Sequence, residues 1–88
     1  MTWQVEFTDR ARRELRKLGA LAQQSVLSFL RKRIVTEEDP RRFGKSLRGD
    51  FTGLWRYRVS DHRIIAKIED EKLKVLVIKV GHRKNIYN

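Results

Sequence analysis

Cysteine is absent from this chain, which excludes disulfides and thiolate metal sites and fits a reducing compartment. No apolar run is long enough for a membrane span: the longest, from Leu73 to Val80, is interrupted by Lys74 and Lys79. The N-terminal Met1-Thr2-Trp3-Gln4-Val5-Glu6 lacks the basic and then apolar regions of a secretory signal. Proline occurs once, at Pro40, leaving few interruptions to regular structure. The expectation is a small soluble cytoplasmic domain that does not engage a membrane. Its 88 residues leave room for one domain, 1–88, with one modest core.

Acidic residues are also scarce. Eleven Asp and Glu face twenty-one Lys and Arg, a net charge of +10, which is more than solubility usually requires. Such a field attracts and steers polyanions. Nucleic acid is the leading partner class and acidic protein the second. An anionic membrane surface is disfavoured because no single helix pairs a broad apolar face with a basic one.

The element pattern is legible. Trp3, Val5 and Phe7 alternate with Gln4 and Glu6, the period of a strand with one buried face. Thr8 is placed to cap a helix, with Asp9 in its positive first turn. Ala11, Leu15 and Leu18 form the inward stripe of that helix, and Gly19 suits a left-handed terminator. A second helix is predicted from about Ala20 to Thr36 on the stripe Ala22, Val26, Phe29, Leu30 and Ile34, with a short turn making the two helices a hairpin. Asp39-Pro40 stops it, and Arg41 to Gly53 reads as a surface loop. Three strands follow, at about Leu54 to Val59, His62 to Glu69 and Lys72 to Val80. Ser60-Asp61 and Asp70-Glu71 are links short enough to force antiparallel hairpins. The last strand is apolar on both faces, hence interior, and ends at Gly81. The order is βααβββ: an α+β fold in which a small, mostly antiparallel sheet packs on a two-helix hairpin.

Arginines concentrate in the second half. A two-residue turn at Ser60-Asp61 sets Arg58 opposite Arg63 and Arg56 opposite Ile65, so Arg56, Arg58 and Arg63 share one face. Trp55, Tyr57, Val59, Ile64, Ala66 and Ile68 take the other, beneath the helices. Directly opposed like charges cost a sheet up to about 1 kcal/mol, so folding alone does not favour Arg58 facing Arg63. Splaying into solvent is the plain alternative. His82, Arg83 and Tyr87 come near the arginine face if the tail turns back over the sheet. A frayed basic C-terminus is the competing reading, and Ile86-Tyr87 would gain by docking. The basic residues of the first helix, Arg10, Arg12, Arg13, Arg16 and Lys17, read mainly as a solvated face.

Lys45-Ser46-Leu47-Arg48-Gly49, Gly53-Leu54-Trp55-Arg56-Tyr57-Arg58-Val59, His62-Arg63-Ile64-Ile65 and Val80-Gly81-His82-Arg83 ending in Tyr87 together resemble the RelE/ParE superfamily of toxins from toxin–antitoxin pairs, most closely its RelE branch. The resemblance covers nearly the whole chain and agrees with the βααβββ order. It implies a microbial-RNase-like fold and an mRNA interferase, a hydrolase that cuts messenger RNA in the ribosomal A site and inhibits translation. It also implies contact with 16S rRNA and a cognate antitoxin protein, in some cases as a heterotetramer. Arg58, Arg63, Arg83 and Tyr87 match the family's catalytic positions. Arg56, Lys45, Arg48 and His82 are the accompanying candidates for RNA and phosphate binding. Well-known members carry lysine at the positions of Arg56 and Arg58, often tyrosine at that of His62 and often glycine at that of Ser60. A guanidinium stays protonated, which argues against proton transfer at Arg58.

The chemistry of these residues suits RNA cleavage without a metal or cofactor. No carboxylate cluster fit for magnesium lies near the arginines, and Asp61 alone is a poor site. Arg58, Arg63 and Arg83 form a cationic clamp for the scissile phosphate, each donor contributing roughly 10² to 10³ in comparable sites. Tyr87 is the first choice of general base, since neighbouring guanidinium groups favour a phenolate. His62 and His82 are alternatives, and the acid is Arg83 or a water held by it. Tyr57 and Trp55 read as core rather than as stacking platforms. Two other classes stay open: a ParE-like inhibitor of DNA gyrase, and a non-catalytic RNA-binding module with steep salt dependence.

Overall fold

The computed structural model describes residues 1–87. Its elements are β1 (Gln4–Phe7), α1 (Asp9–Lys17), α2 (Ala20–Phe29), β2 (Gly44–Ser46), β3 (Trp55–Val59), β4 (His62–Glu69) and β5 (Lys74–His82). The strands form one five-stranded sheet in the order β1-β5-β4-β3-β2, parallel between β1 and β5 and antiparallel elsewhere. Both helices cover one face, as expected. Ala11 and Leu15 of α1 and Val26 of α2 pack with Tyr57, Ile64, Ala66, Val75, Val77 and Val80 of the sheet. Among the described residues no helix is long and apolar enough to cross a membrane.

Local chemistry accounts for α1. The Thr8 Oγ1 accepts a hydrogen bond from the Ala11 amide at 3.1 Å, Asp9 sits in the first turn, and Arg16 and Lys17 sit in the last. The inter-helix connection differs from expectation. Gly19 is extended, at φ −63° and ψ 161°, and is the N-cap of α2 rather than a left-handed terminator of α1. The carbonyls left open at the end of α1 are instead served by Gln23 Nε2, which donates to Leu18 at 2.7 Å and to Arg16 at 3.3 Å. The second helix is also shorter than predicted. It leaves α geometry at Phe29 and finishes as a single wide π turn, Leu30–Ile34, which still buries Leu30 and Ile34.

The segment from Arg41 to Gly53, expected to be loop, holds a strand. Pro40–Phe43 is a 3-10 turn opened by Asp39, whose Oδ1 accepts from the Arg41 amide at 2.9 Å. The chain then enters β2, which pairs Gly44, Lys45 and Ser46 with Tyr57, Arg56 and Trp55. Three residues are too few for a periodicity signal, and the strand exists because β3 offers an unpaired edge. Gly44 packs closely there, since a Cβ would lie 3.0 Å from Tyr57 Cε1 and 3.2 Å from the Arg56 carbonyl.

The β3–β4 turn forms as read from the sequence, with Ser60 at φ 56° and Val59 opposite His62. The β4–β5 connection is longer than the two residues expected. Asp70–Lys72 is a 3-10 turn, and Leu73 takes a left-handed φ of 49° before β5 begins at Lys74. β5 is interior and runs to His82, one residue beyond the expected Gly81 terminus.

The register of β5 shifts once. Ala66 pairs with Val77 while Ile65 pairs with Lys79, so Ile78 is an extra, bulged residue. Strict alternation would put Lys79 on the same face as Val75 and Val77. The bulge reverses that, returning Val80 to the core and aiming Lys79 at the opposite face. Helix α1 is fastened at this point: Thr8 Oγ1 donates to the Ile78 carbonyl at 3.4 Å, and the Val80 amide donates to Glu14 Oε1 at 3.0 Å.

Candidate RNA-cleaving site

The face away from the helices carries two cross-strand rows. One runs Arg58, Arg63, Gly81 across β3, β4 and β5, and the next runs Lys45, Arg56, Ile65, Lys79 from β2 to β5. Direct cross-strand partners share a face, so the expected grouping of Arg56, Arg58 and Arg63 holds, with Lys45 added. Gly81 leaves no side chain beside Arg63. The guanidinium there curls to the β3–β4 turn, where Nη1 donates to the Ser60 carbonyl at 2.8 Å and to the His62 carbonyl at 2.9 Å.

The tail returns to this face. The Arg83 amide donates to the Asp61 carbonyl at 2.8 Å, and the Asn85 and Ile86 amides both donate to the His82 carbonyl. Ile86 is buried, and a Cβ on Gly81 would lie 3.4 Å from its Cδ1. Tyr87 is half exposed and meets the Phe51 ring edge-on at 5.5 Å. The tail therefore docks, anchored by Ile86, rather than fraying.

Electrostatics marks the convergence. Arg63 is held below the ordinary arginine value, first by burial and then by Arg58, Arg56 and Arg83, while Tyr87 acts in the opposite sense. Arg63 thus feels three other guanidinium groups and a phenol on one surface. Among the described residues Arg83 pairs with Asp61 at 3.9 Å, and both side chains are exposed, so that pair holds Arg83 only weakly. Among the described residues no group of three metal-ligating side chains occurs.

Other candidates lie elsewhere. Arg48 is exposed at the entrance to the Gly49–Phe51 turn. His82 is not brought to the arginine face. It is the register partner of His62, their rings meet edge-on at 5.6 Å, and it lines a cleft with Arg10, Glu14 and Leu18 on the α1 side. Strand alternation sends it there, since it follows Gly81. Tyr57 is fully buried; burial pushes its phenol up to about 12, and its hydroxyl donates to the Pro40 carbonyl at 2.8 Å. Trp55 departs from the expected core and instead lies under the Arg41 guanidinium at 5.7 Å. The α1 arginines are exposed, as a solvated face would be.

Two residues at this face were not anticipated. Lys79 is 8 % exposed, and its ammonium lies 5.6 Å from the centre of the Phe51 ring. Phe51 thus touches both Lys79 and Tyr87. The available signals were a lysine inside an apolar strand and an aromatic flanked by Gly49 and Gly53.

Three comparisons bear on this arrangement. Residues 5–87 match the family model described as ParE toxin of type II toxin-antitoxin system, parDE. The chain is 36 % identical over 87 residues to the toxin RelG of Mycobacterium tuberculosis, covering 99 % of this chain and 98 % of that one. It is also 36 % identical over 87 residues to the mRNA interferase toxin RelE of Escherichia coli, covering 96 % and 86 %. Among solved structures, the toxin-antitoxin complex RelBE2 from Mycobacterium tuberculosis contains a chain that superposes with a TM-score of 0.86 at 32 % identity, covering 97 % of this chain and 95 % of that one.

Proposed function

Since the chain belongs to the RelE/ParE family of type II toxin–antitoxin toxins, we propose that it is a RelE-type endoribonuclease that cuts messenger RNA in the ribosomal A site and so arrests translation. The observation that carries the reading is the meeting of Arg58, Arg63, Arg83 and Tyr87 on one face, with Arg63 the group that feels the other three. A surface built only to bind protein has no need of a phenol delivered to opposed arginines.

In this reading Arg58 and Arg63 hold the scissile phosphate and stabilise the charge it gains in the pentavalent state. Tyr87, as general base, takes the proton of the 2′-hydroxyl, and the 2′-oxygen attacks phosphorus. The bond to the 5′-oxygen breaks, and that oxygen leaves with a proton supplied at Arg83 or by a water it holds. The products are a 2′,3′-cyclic phosphate and a 5′-hydroxyl. No side chain here is a strong acid, so the rate rests on alignment, which the ribosome supplies by bending the message into line. The E. coli relative is named an mRNA interferase, which supports the same reaction here. A cognate antitoxin, acidic or amphipathic, covers this basic face in the resting pair, in keeping with the antitoxin-bound state of the M. tuberculosis structure; a heterotetramer is one arrangement of the pair.

Primer extension on a defined message in a reconstituted translation mixture tests this. Wild type is expected to cut at A-site codons only when ribosomes are present, and Arg83→Ala and Tyr87→Phe to lose at least 10²-fold in rate. Intact message with wild type would overturn the proposal, and inhibition of gyrase supercoiling would then support the ParE-like alternative.

A further inference from the structure

Beside the arginine cluster, between β2 and β3, lies a cleft of about 220 Å³ lined by Arg42, Phe43, Gly44, Lys45, Arg56 and Arg58. Its chemistry is one-sided. Four of these residues are cations, and the carboxylate paired with them among the described residues is Glu38, which bonds Arg42 while remaining exposed. The Arg56 Nε is buried and has no hydrogen-bond partner among the described residues. An unsatisfied buried donor is destabilising, and an anion seated between Arg56 and Lys45 removes that cost. Lys45 stands directly opposite Arg56 in the sheet, so the two cations approach one point from neighbouring strands.

Phe43 adds the second component. It is partly exposed, with the Arg42 and Arg33 guanidinium groups 4.9 and 5.4 Å from its ring centre. Aromatic rings and guanidinium planes are the platforms on which unpaired bases stack. Arg58 belongs both to this cleft and to the cluster at Arg63. Arg56 and Arg58, two residues apart on one face, are separated by about 6.7 Å along the strand, close to the step between neighbouring phosphates of an extended strand.

We propose that the cleft is a second nucleotide subsite for single-stranded RNA, in which Arg42, Lys45 and Arg56 hold the phosphate adjacent to the cut and Phe43 with Arg42 stacks the attached base. The proposal rests on the nuclease reading for what lies at Arg58 and Arg63, but its binding chemistry stands without cleavage. It makes the residues around β2 a determinant of which nucleotides the site accepts. Acidic protein segments also suit cations, yet they have no use for the stacked Phe43.

The test is fluorescence anisotropy with a labelled 2′-O-methyl oligoribonucleotide, which cannot be cut, titrated across a range of salt concentrations. Each lost phosphate contact flattens the slope of log K against log salt by about 0.7 for a single strand. The doubly substituted R42A/K45A protein is therefore expected to flatten it by about 1.4. Phe43→Leu is expected to weaken binding roughly 5- to 150-fold at unchanged slope. Arg13→Ala, on the exposed face of α1, serves as the control for diffuse charge and is expected to change neither. A wild-type slope in R42A/K45A, or an equal flattening in Arg13→Ala, overturns the subsite. So does a loss confined to binding of an oligoglutamate peptide, which would assign the cleft to protein. The nuclease reading fails separately: wild type would then bind the oligonucleotide through the cleft yet leave ribosome-bound message intact.

Discussion

Phe51 meets two side chains that lie far from it in the sequence, its ring being 5.5 Å from that of Tyr87 and 5.6 Å from the Lys79 ammonium. Tyr87 sits at the end of the chain and is half exposed, so its ring depends on such a contact for a fixed direction. An edge-on aromatic pair contributes about 0.5–1.5 kcal/mol, which as lost alignment corresponds to about 2- to 12-fold in rate. Phe51→Ala is expected to lower the single-turnover rate by that factor while leaving oligonucleotide affinity near wild type, and Phe51→Trp to restore most of it. In a Tyr87→Ala background Phe51→Ala should cost nothing further. Equal losses in both backgrounds would make Phe51 a general stabiliser rather than a positioning residue. The sequence singled out Tyr87 through its resemblance and the arginines through hairpin register, but it gave no reason to choose Phe51, because the contact depends on where a glycine-flanked turn lands.

At the scale of elements, β2 and the β5 bulge do the most to shape the site. β2 sets Lys45 opposite Arg56 and depends on the close approach of Gly44 to Tyr57. The Tyr57 ring cannot yield easily, being fully buried and tethered through its hydroxyl to Pro40. Gly44→Ala is therefore expected to destabilise the fold by about 1–3 kcal/mol, read as a lower urea midpoint at unchanged m-value; an unchanged midpoint would refute the close packing. The bulge at Ile78 has no sequence signature, since Val75 to Val80 is apolar on both faces apart from Lys79. The hairpin at Ser60-Asp61 was legible because its length alone fixes the register. The end of α2 was not, because the wide turn Leu30–Ile34 keeps the same apolar residues inward as a regular helix would.

At the scale of the whole molecule, stability is linked to pH through the buried phenol. Burial raises Tyr57 from 10.0 to about 12, so the folded state holds its proton longer than the unfolded chain. The contribution is fully present below about pH 10 and is lost as pH rises toward about 12. Tyr57→Phe is expected to cost about 1 kcal/mol at neutral pH through the lost hydrogen bond, yet to lose less stability than wild type between those pH values. Parallel alkaline unfolding curves for the two proteins would contradict this. The net charge of +10 acts over the same scale, and it lies in the composition alone: an attraction for polyanions follows from counting. Sequence by itself also determined the order of every element but β2, the helix-covered face and the opposition of Arg58 to Arg63, because periodicity and short turns are local properties. Only the tertiary structure decided that Lys79 leaves the core, that His82 turns away from the arginines, that Ile86 anchors the tail and that a cleft opens beside Arg56. Each of those depends on a bulge, a strand edge or a docked turn, and so on contacts between residues that no local pattern connects.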